Sequence, residues 1–302
     1  MKNIKMNTYQ ILIDEKYSRL LCVGVSIHVF DLKTMRKITS IGGFSYLSYA
    51  SIDYPGDKLY ALNTVGDLKV FNLKNFALVA SVKTGVKDGR IVINATKGEV
   101  CIWGFRSRRA EVAVVMLKNL TVKRLDFERR FDEMIARTDY ELMRFEGEDF
   151  YLIESFCVTK KGKRKKLTNE TVYGRYSFVD GKLINKEVIK KWNGVFVLGV
   201  EGFDGGFCDA KAILYGDTVI KGKSLFKKEY IKFVKKYGDR FVIGTGRAVY
   251  EFSNDFQEKR EIAVMPYLDD YCEFDGNRYI GSWDRLVVAK SSEDLTDYDF
   301  ND

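Results

Sequence analysis

The chain has 302 residues, 46% hydrophobic and 14% aromatic, with 50 Lys and Arg against 42 Asp and Glu for a formal charge of +8. That composition furnishes a core and excludes a wholly disordered chain, and no apolar run is long enough to cross a bilayer as a helix. One histidine and five scattered cysteines exclude a Cys/His zinc site and a fully paired disulfide scaffold, while the positive balance favours an acidic partner.

The opening segment, MKNIKMNTYQILIDEKYSRLL, is interrupted by charge too often for a signal peptide. With an odd number of cysteines it fits a reducing compartment, so the expected location is cytoplasmic. Residues 9–41 then alternate apolar and polar positions and contain SIHVFDLKTMRKITSI, which is echoed by DLKVFNLKNFALVASV at 67–82. Val29-Phe30-Asp31-Leu32-Lys33 matches Val70-Phe71-Asn72-Leu73-Lys74, and Val115-Met116-Leu117-Lys118-Asn119 is a third copy. Each copy is a strand that stops at a polar turn and resumes, the pattern of a β-hairpin.

A second mark precedes each copy: a glycine beside a polar residue, followed by an apolar strand. It occurs as PGDKLYAL from Pro55, KGEVCIW from Lys97, EGEDFYLI from Glu146, YGDRFVIG from Tyr237 and DGNRYIGS from Asp275. Glycine there is expected to supply the positive φ of a tight turn. One unit therefore reads as strands a, b, c and d, with a near 46–52, b near 58–63, c near 67–72 and d near 77–83 in the clearest case.

Further units span 89–127, 130–190, 195–227, 230–264 and 267–290. The segment ERRFDEMIARTDYELM at 128–143 is read as a strand a with an irregular extension. The last unit lacks a strand d, which Lys2 to Met6 would supply. Pro55 and Pro266, the only prolines, both fall in turns, where no ladder hydrogen bond is lost.

Units of roughly 43 residues are the period of propeller blades. The predicted fold is all-β: a seven-bladed β-propeller of four-stranded antiparallel blades, one domain over 1–290, its ring closed by the N-terminal strand pairing with the C-terminal blade. An acidic, disordered tail is expected over 291–302.

Two stretches resemble WD-repeat propellers. GSWDRLVVAK from Gly281 is similar to their strand b to strand c junction, and VFDLKT from Val29 to the end of their strand c. The likeness, which extends to quinoprotein-like propellers, implies an interaction scaffold. The Trp-Asp hallmark is replaced by Phe30-Asp31, Phe71-Asn72, Val115-Met116 and Phe252-Ser253, and His28 leaves no repeated Gly-His pair. Without the hydrogen-bonded network of those residues, the blades are expected to be held by packing alone.

Few residues offer chemistry. His28 lies in a strand between Ile27 and Val29 and reads as structural, and the five cysteines read as small buried hydrophobes. GTGRAVY at 244–250 is a hairpin turn, not a phosphate loop. No catalytic residue, resident metal or cofactor is assigned. Asp269 and Asp270, near Glu273, are alternative oxygen ligands for Ca²⁺.

Charge divides by edge. In a propeller the b-to-c and d-to-a connections share one edge, and the a-to-b and c-to-d turns share the other. The first edge is expected to carry Arg106, Arg108 and Arg109, then Lys160, Lys161, Lys163, Arg164, Lys165 and Lys166. Arg129, Arg130, Lys190, Lys191, Lys227 and Lys228 are expected in its d-to-a segments, with Trp192 and Phe105 as interleaved aromatics. The second edge is expected to carry Asp53, Asp57, Glu99, Glu146, Glu148, Asp149, Asp239 and Asp275.

These residues point to a non-enzymatic scaffold that docks an acidic partner, protein rather than nucleic acid, on its basic edge, because no recognised nucleic-acid module presents the charges. Two alternatives stand beside it. One is a propeller enzyme of the hydrolase or lactonase type, with Asp132, Glu133, Asp269 and Asp270 near a central funnel. The other is sequence-independent binding of nucleic acid.

Overall fold

The computed structural model describes residues 1–95, 97–106, 109–125, 134–146, 149–160, 166–179, 182–193, 196–198, 212–215, 218–221 and 231–298. Among them every regular element is a β-strand. The first, β1 (Lys2–Lys5), does not pair with the strand that follows it. A sheet of sequential antiparallel strands comes next: β2 (Gln10–Asp14), β3 (Arg19–Val23), β4 (Ile27–Asp31) and β5 (Lys37–Ile41). The second sheet is β6 (Leu47–Asp53), β7 (Lys58–Asn63), β8 (Asp67–Asn72) and β9 (Leu78–Lys83), and the third β10 (Lys87–Asn94), β11 (Glu99–Arg106), β12 (Arg109–Met116) and β13 (Thr121–Leu125). The fourth has much longer strands, β14 (Met134–Glu146), β15 (Asp149–Lys160), β16 (Lys166–Val179) and β17 (Lys182–Asn193).

The fifth sheet is β18 (Phe196–Leu198), β19 (Ala212–Tyr215) and β20 (Thr218–Lys221), and the sixth β21 (Ile231–Tyr237), β22 (Arg240–Thr245), β23 (Ala248–Ser253) and β24 (Lys259–Val264). β25 (Leu268–Phe274), β26 (Asn277–Ser282) and β27 (Arg285–Lys290) make the last sheet, and β1 is its fourth strand, with Lys2 opposite Val288 and Lys5 opposite Arg285. The fifth sheet departs from the expected antiparallel four: three strands are described, and β18 runs parallel to β19. Alternation of apolar residues marks a strand without marking the direction of its partner, so this difference was not visible in the sequence.

Two compact units are present, Met1–Gly42 with Phe196–Asp302, and Gly43–Val195. Within the second, the faces of the second and third sheets enclose a cluster that includes Tyr60, Leu62, Val70, Ile91, Ile102 and Val115. Within the first, Phe233, Val249, Met265, Tyr271, Ile280 and Val287 join the sixth and last sheets, and Ile11, Leu20, Cys22, Phe30 and Leu286 join the last sheet to the first. A strand covered on both faces has no polar side to preserve, so β3, β7 and β22 are near-continuous apolar runs, and they, like β26, are buried at almost every residue.

The turns explain the repeats. At the ends of β2, β6 and β10 a short polar side chain caps the turn: Asp14 Oδ1 accepts from Tyr17 N, Asp53 Oδ1 from Gly56 N at 3.1 Å and Asn94 Oδ1 from Lys97 N. Gly56 is not the residue at positive φ; Asp57 is, at 50°. A Cβ on Gly56 would lie 2.2 Å from Asp53 Oδ2, so this glycine makes room for the cap rather than for the backbone. In DGNRYIGS the expectation holds, with Gly276 at φ 68° beside Asp275 at 48°.

The repeated Val-Phe-Asp/Asn-Leu-Lys runs end third strands and open a five-residue turn. Asp31 Oδ1 accepts from Lys33 N and Thr34 N, and Asn72 Oδ1 from Lys74 N and Asn75 N. The fifth residue, Met35 or Phe76, takes a positive φ and donates its N–H back to Asp31 O or Asn72 O. The residue after the strand donates to the preceding hairpin, Leu32 N to Ser18 O and Leu73 N to Asp57 O, which ties the two turns together.

Residues 291–298 follow a defined course, in contrast to the disordered tail read from their composition. Ser291 N donates to Gly276 O and Leu295 N to Ile262 O, Leu295 bridges Ala263, and its side chain, 3% exposed, joins the core of the sixth and last sheets. Arg278 is 1% exposed and donates to the carbonyls of Ser291 and Glu293. One leucine and a buried guanidinium hold a segment that is otherwise mostly acidic and polar.

Candidate functional site

The two basic connections both follow second strands. Arg106 ends β11 and Arg109 begins β12, forming the last cross-strand pair of that hairpin. Lys160 ends β15 opposite Met134, and Lys166 opens β16 opposite Thr159. The two sheets are neighbours, since β14 packs against β10, β11 and β12. Arg108, Lys161, Lys163, Arg164 and Lys165 lie outside the described residues, as do Arg129, Arg130, Asp132, Glu133, Glu148, Lys227 and Lys228. So do the side chains of Phe105, Arg106, Arg109, Lys160, Lys166 and Trp192.

Lys190, Lys191 and Trp192 are not in a connection. They belong to β17, opposite Tyr173, Val172 and Thr171. Pairing continues for as long as the partner strand offers ladder groups, and β16 offers them as far as Glu170, opposite Asn193. A repeat of average length ends the strand too early.

The opposing acidic edge is also thinner than its sequence suggests. Asp53 is 7% exposed and spends its carboxylate on the turn, and Asp149 pairs with Arg175 Nε at 3.0 Å. Asp239 and Asp275 are exposed.

The sequence reading missed an aromatic patch. Trp283 sits in the connection between β26 and β27 and is 60% exposed, and Tyr267, just before β25, is 71% exposed. Trp283 N donates to Tyr267 O at 3.1 Å, Asn7 Nδ2 donates to Trp283 O at 2.7 Å, and the Trp283 ring lies 5.5 Å from Tyr9. The backbone of this patch is fixed while the rings face water, the arrangement of an anchoring surface. The available signal was a tryptophan placed in a two-residue turn, where a side chain has no sheet face to cover.

Asp269 and Asp270 have separate lives. Asp270 is buried, with Oδ1 2.8 Å from Lys235 Nζ and Oδ2 accepting from Ile11 N at 2.7 Å, so it fastens the sixth, last and first sheets together. Glu273 accepts from Arg240 and from the Tyr271 hydroxyl, and its own N–H donates to Tyr237 Oη at 3.1 Å. Packing alone therefore does not join these sheets. Asp269 is pushed up to about 6 by burial, which outweighs the opposing Lys232 ammonium. Among the described residues no three His, Cys, Asp or Glu side chains converge as metal ligands.

His28 exchanges hydrogen bonds with Ser40 Oγ at 2.9 Å and Ser26 Oγ at 3.2 Å. Burial, then the Lys37 ammonium, hold it below the usual histidine range. Burial also pushes the Cys22 and Cys101 thiols far up, away from nucleophilic use. No helix among the described residues is long and apolar enough to cross a membrane.

Neither a family model nor a curated protein matches the chain. Solved structures do. The chain is similar to the β-propeller domain of Cps50 (Swd1) from Myceliophteria thermophila, with TM-score 0.56 and 9% identity over 97% of this chain and 100% of that one. It is also similar to the computationally designed Ika8 protein, with TM-score 0.57 and 11% identity over 96% of this chain and 97% of that one. At such identities the likeness is one of fold, and together with the four-stranded antiparallel sheets it makes this chain a β-propeller.

Proposed function

We propose that the protein is a seven-bladed, WD-repeat-like interaction scaffold, non-enzymatic, which docks an acidic protein partner through its second-to-third strand connections. The pairing of β1 with β27 supports the ring, because it gives the last sheet its fourth strand from the opposite end of the chain. The observation that carries the docking surface is that Arg106 and Arg109 in one sheet, and Lys160 and Lys166 in its neighbour, flank the same class of connection. Two basic connections on adjacent blades make a continuous field for carboxylates.

The test is binding of a fluorescent poly-glutamate peptide and of a double-stranded DNA of equal charge, each at about 50 and about 200 mM salt. Poly-glutamate is expected to bind the parent protein and to weaken about tenfold or more in Arg106→Glu/Arg109→Glu/Lys160→Glu/Lys166→Glu. Unchanged poly-glutamate affinity in that variant rules out this surface. Tighter binding of the DNA, with the steeper salt dependence, replaces the protein partner by nucleic acid.

A further inference from the structure

The last sheet is the one four-stranded sheet described whose third and fourth strands are not joined by a turn, because β1 comes from the other end of the chain. In the sixth sheet that turn carries Phe256, at φ 60°, whose ring stacks on Phe241 at 4.9 Å and lies 5.8 Å from Phe252. Phe241 and Phe252 are a cross-strand pair, and the pair at the same position in the last sheet is Arg278 and Ala289. Glu293 takes the turn position of Phe256, its N–H donated to Lys290 O as Phe256 N is to Ser253 O. Arg278 donates to the carbonyls of Ser291 and Glu293, and beyond Glu293 the chain leaves for the sixth sheet.

A cavity of about 570 Å³ lies between the first and last sheets, beside the end of β27 and the start of β1. Its floor is apolar, made by Met35, Phe274, Tyr279, Val288 and Ala289, and Lys33 and Lys290 stand on its wall. Lys2 also lines it, with Nζ donated to Thr34 O at 2.9 Å. Asp275 and Glu293 also line it. Among the described residues neither Lys33 nor Lys290 is in an ion pair. The volume falls in the range of small-molecule sites, roughly 300–1,000 Å³.

We infer that this cavity binds a small amphipathic anion, an aryl or branched-alkyl group bearing a sulfonate, carboxylate or phosphate. The apolar body lies on Tyr279, Phe274 and Met35, between the first and last sheets. The acidic group lies toward Lys33 and Lys290, which attract it. The site is independent of the strand connections proposed above for the protein partner.

The probe is 1-anilinonaphthalene-8-sulfonate, with the uncharged N-phenyl-1-naphthylamine as its comparison, both titrated by fluorescence into the full chain. The sulfonate is expected to saturate one site and to weaken about tenfold in Lys33→Glu/Lys290→Glu, while the uncharged amine binds parent and variant alike. Met35→Glu, which places a charge on the floor, weakens both. The control Lys74→Glu/Lys118→Glu, which carries the same charge change on turns of the second and third sheets, leaves the sulfonate unaffected. Sulfonate binding that never saturates, that changes less than about threefold in Lys33→Glu/Lys290→Glu, or that falls equally in the control overturns the assignment.

Discussion

The second sheet and the last sheet have the same four antiparallel strands and reach them by different means. In the second, β8 runs into β9 through a turn that Asn72 caps and Phe76 completes. In the last, the turn does not lead into the fourth strand: β1 arrives from the far end of the chain, and the segment after β27 keeps two of the turn's hydrogen bonds, Ser291 N to Gly276 O and Glu293 N to Lys290 O, before it leaves. What a turn into the fourth strand would supply is divided among Arg278, the carbonyls of Ser291 and Glu293, and Leu295. A covalent turn is thus replaceable by a buried charge and one apolar anchor, at the expense of making the sheet depend on its C-terminal segment.

The strongest way to break this comparison is to remove Ser291–Asp302. Arg278 then keeps its burial without its acceptors and the core loses Leu295, so urea unfolding should show a loss of about 3–5 kcal/mol. Arg278→Met in the shortened chain should restore part of that loss, which a segment of no structural consequence would not allow. A similar contrast divides the first and second sheets at one turn position. Asp14→Ala strands Arg19, whose Nε donates to Asp14 Oδ2 at 2.8 Å in a buried pair, and should cost about 3–5 kcal/mol. Asp53→Ala frees only the Gly56 N–H and should cost about 1 kcal/mol.

Asp269 sharpens the comparison through pH. Its folded value of about 6 lies above the unfolded carboxyl range, so its contribution is fully present below the unfolded value and is lost as pH rises through about 6. Stability of the parent should fall by about 1–3 kcal/mol between pH 4 and 7 relative to Asp269→Asn, measured by urea midpoints at each pH. An identical pH dependence in the two proteins would remove Asp269 as the cause. A modest effect concerns the glycines. Gly276→Ala forces a side chain to φ 68° and should cost about 1–2 kcal/mol, with Gly276→Asn costing less.

Much of the fold was legible because hairpins are local. The predicted b and c strands of the second sheet, 58–63 and 67–72, coincide with β7 and β8, and the extended segment Lys2 to Met6 is found on β27. The misreadings share a physical cause. Trp192 was assigned to a loop because strand length follows from the partner strand, as β16 shows. Asp53 was counted as surface charge because burial of a cap is set by the loop folding over it. The exposed Trp283 and Tyr267 were passed over because an aromatic residue in a sequence carries no mark of which side of the backbone meets water.

The sequence by itself determined the strands, their hairpin turns and their antiparallel neighbours, since period-2 alternation and Asp, Asn and Gly turn chemistry act over a few residues. Only the tertiary structure decided what joins one sheet to the next: Asp270 reaching Lys235 and Ile11, Leu295 entering a core from an acidic segment, and a cavity between the first and last sheets. Those contacts join residues far apart in the chain, and their energies depend on burial, which no local pattern of residues encodes.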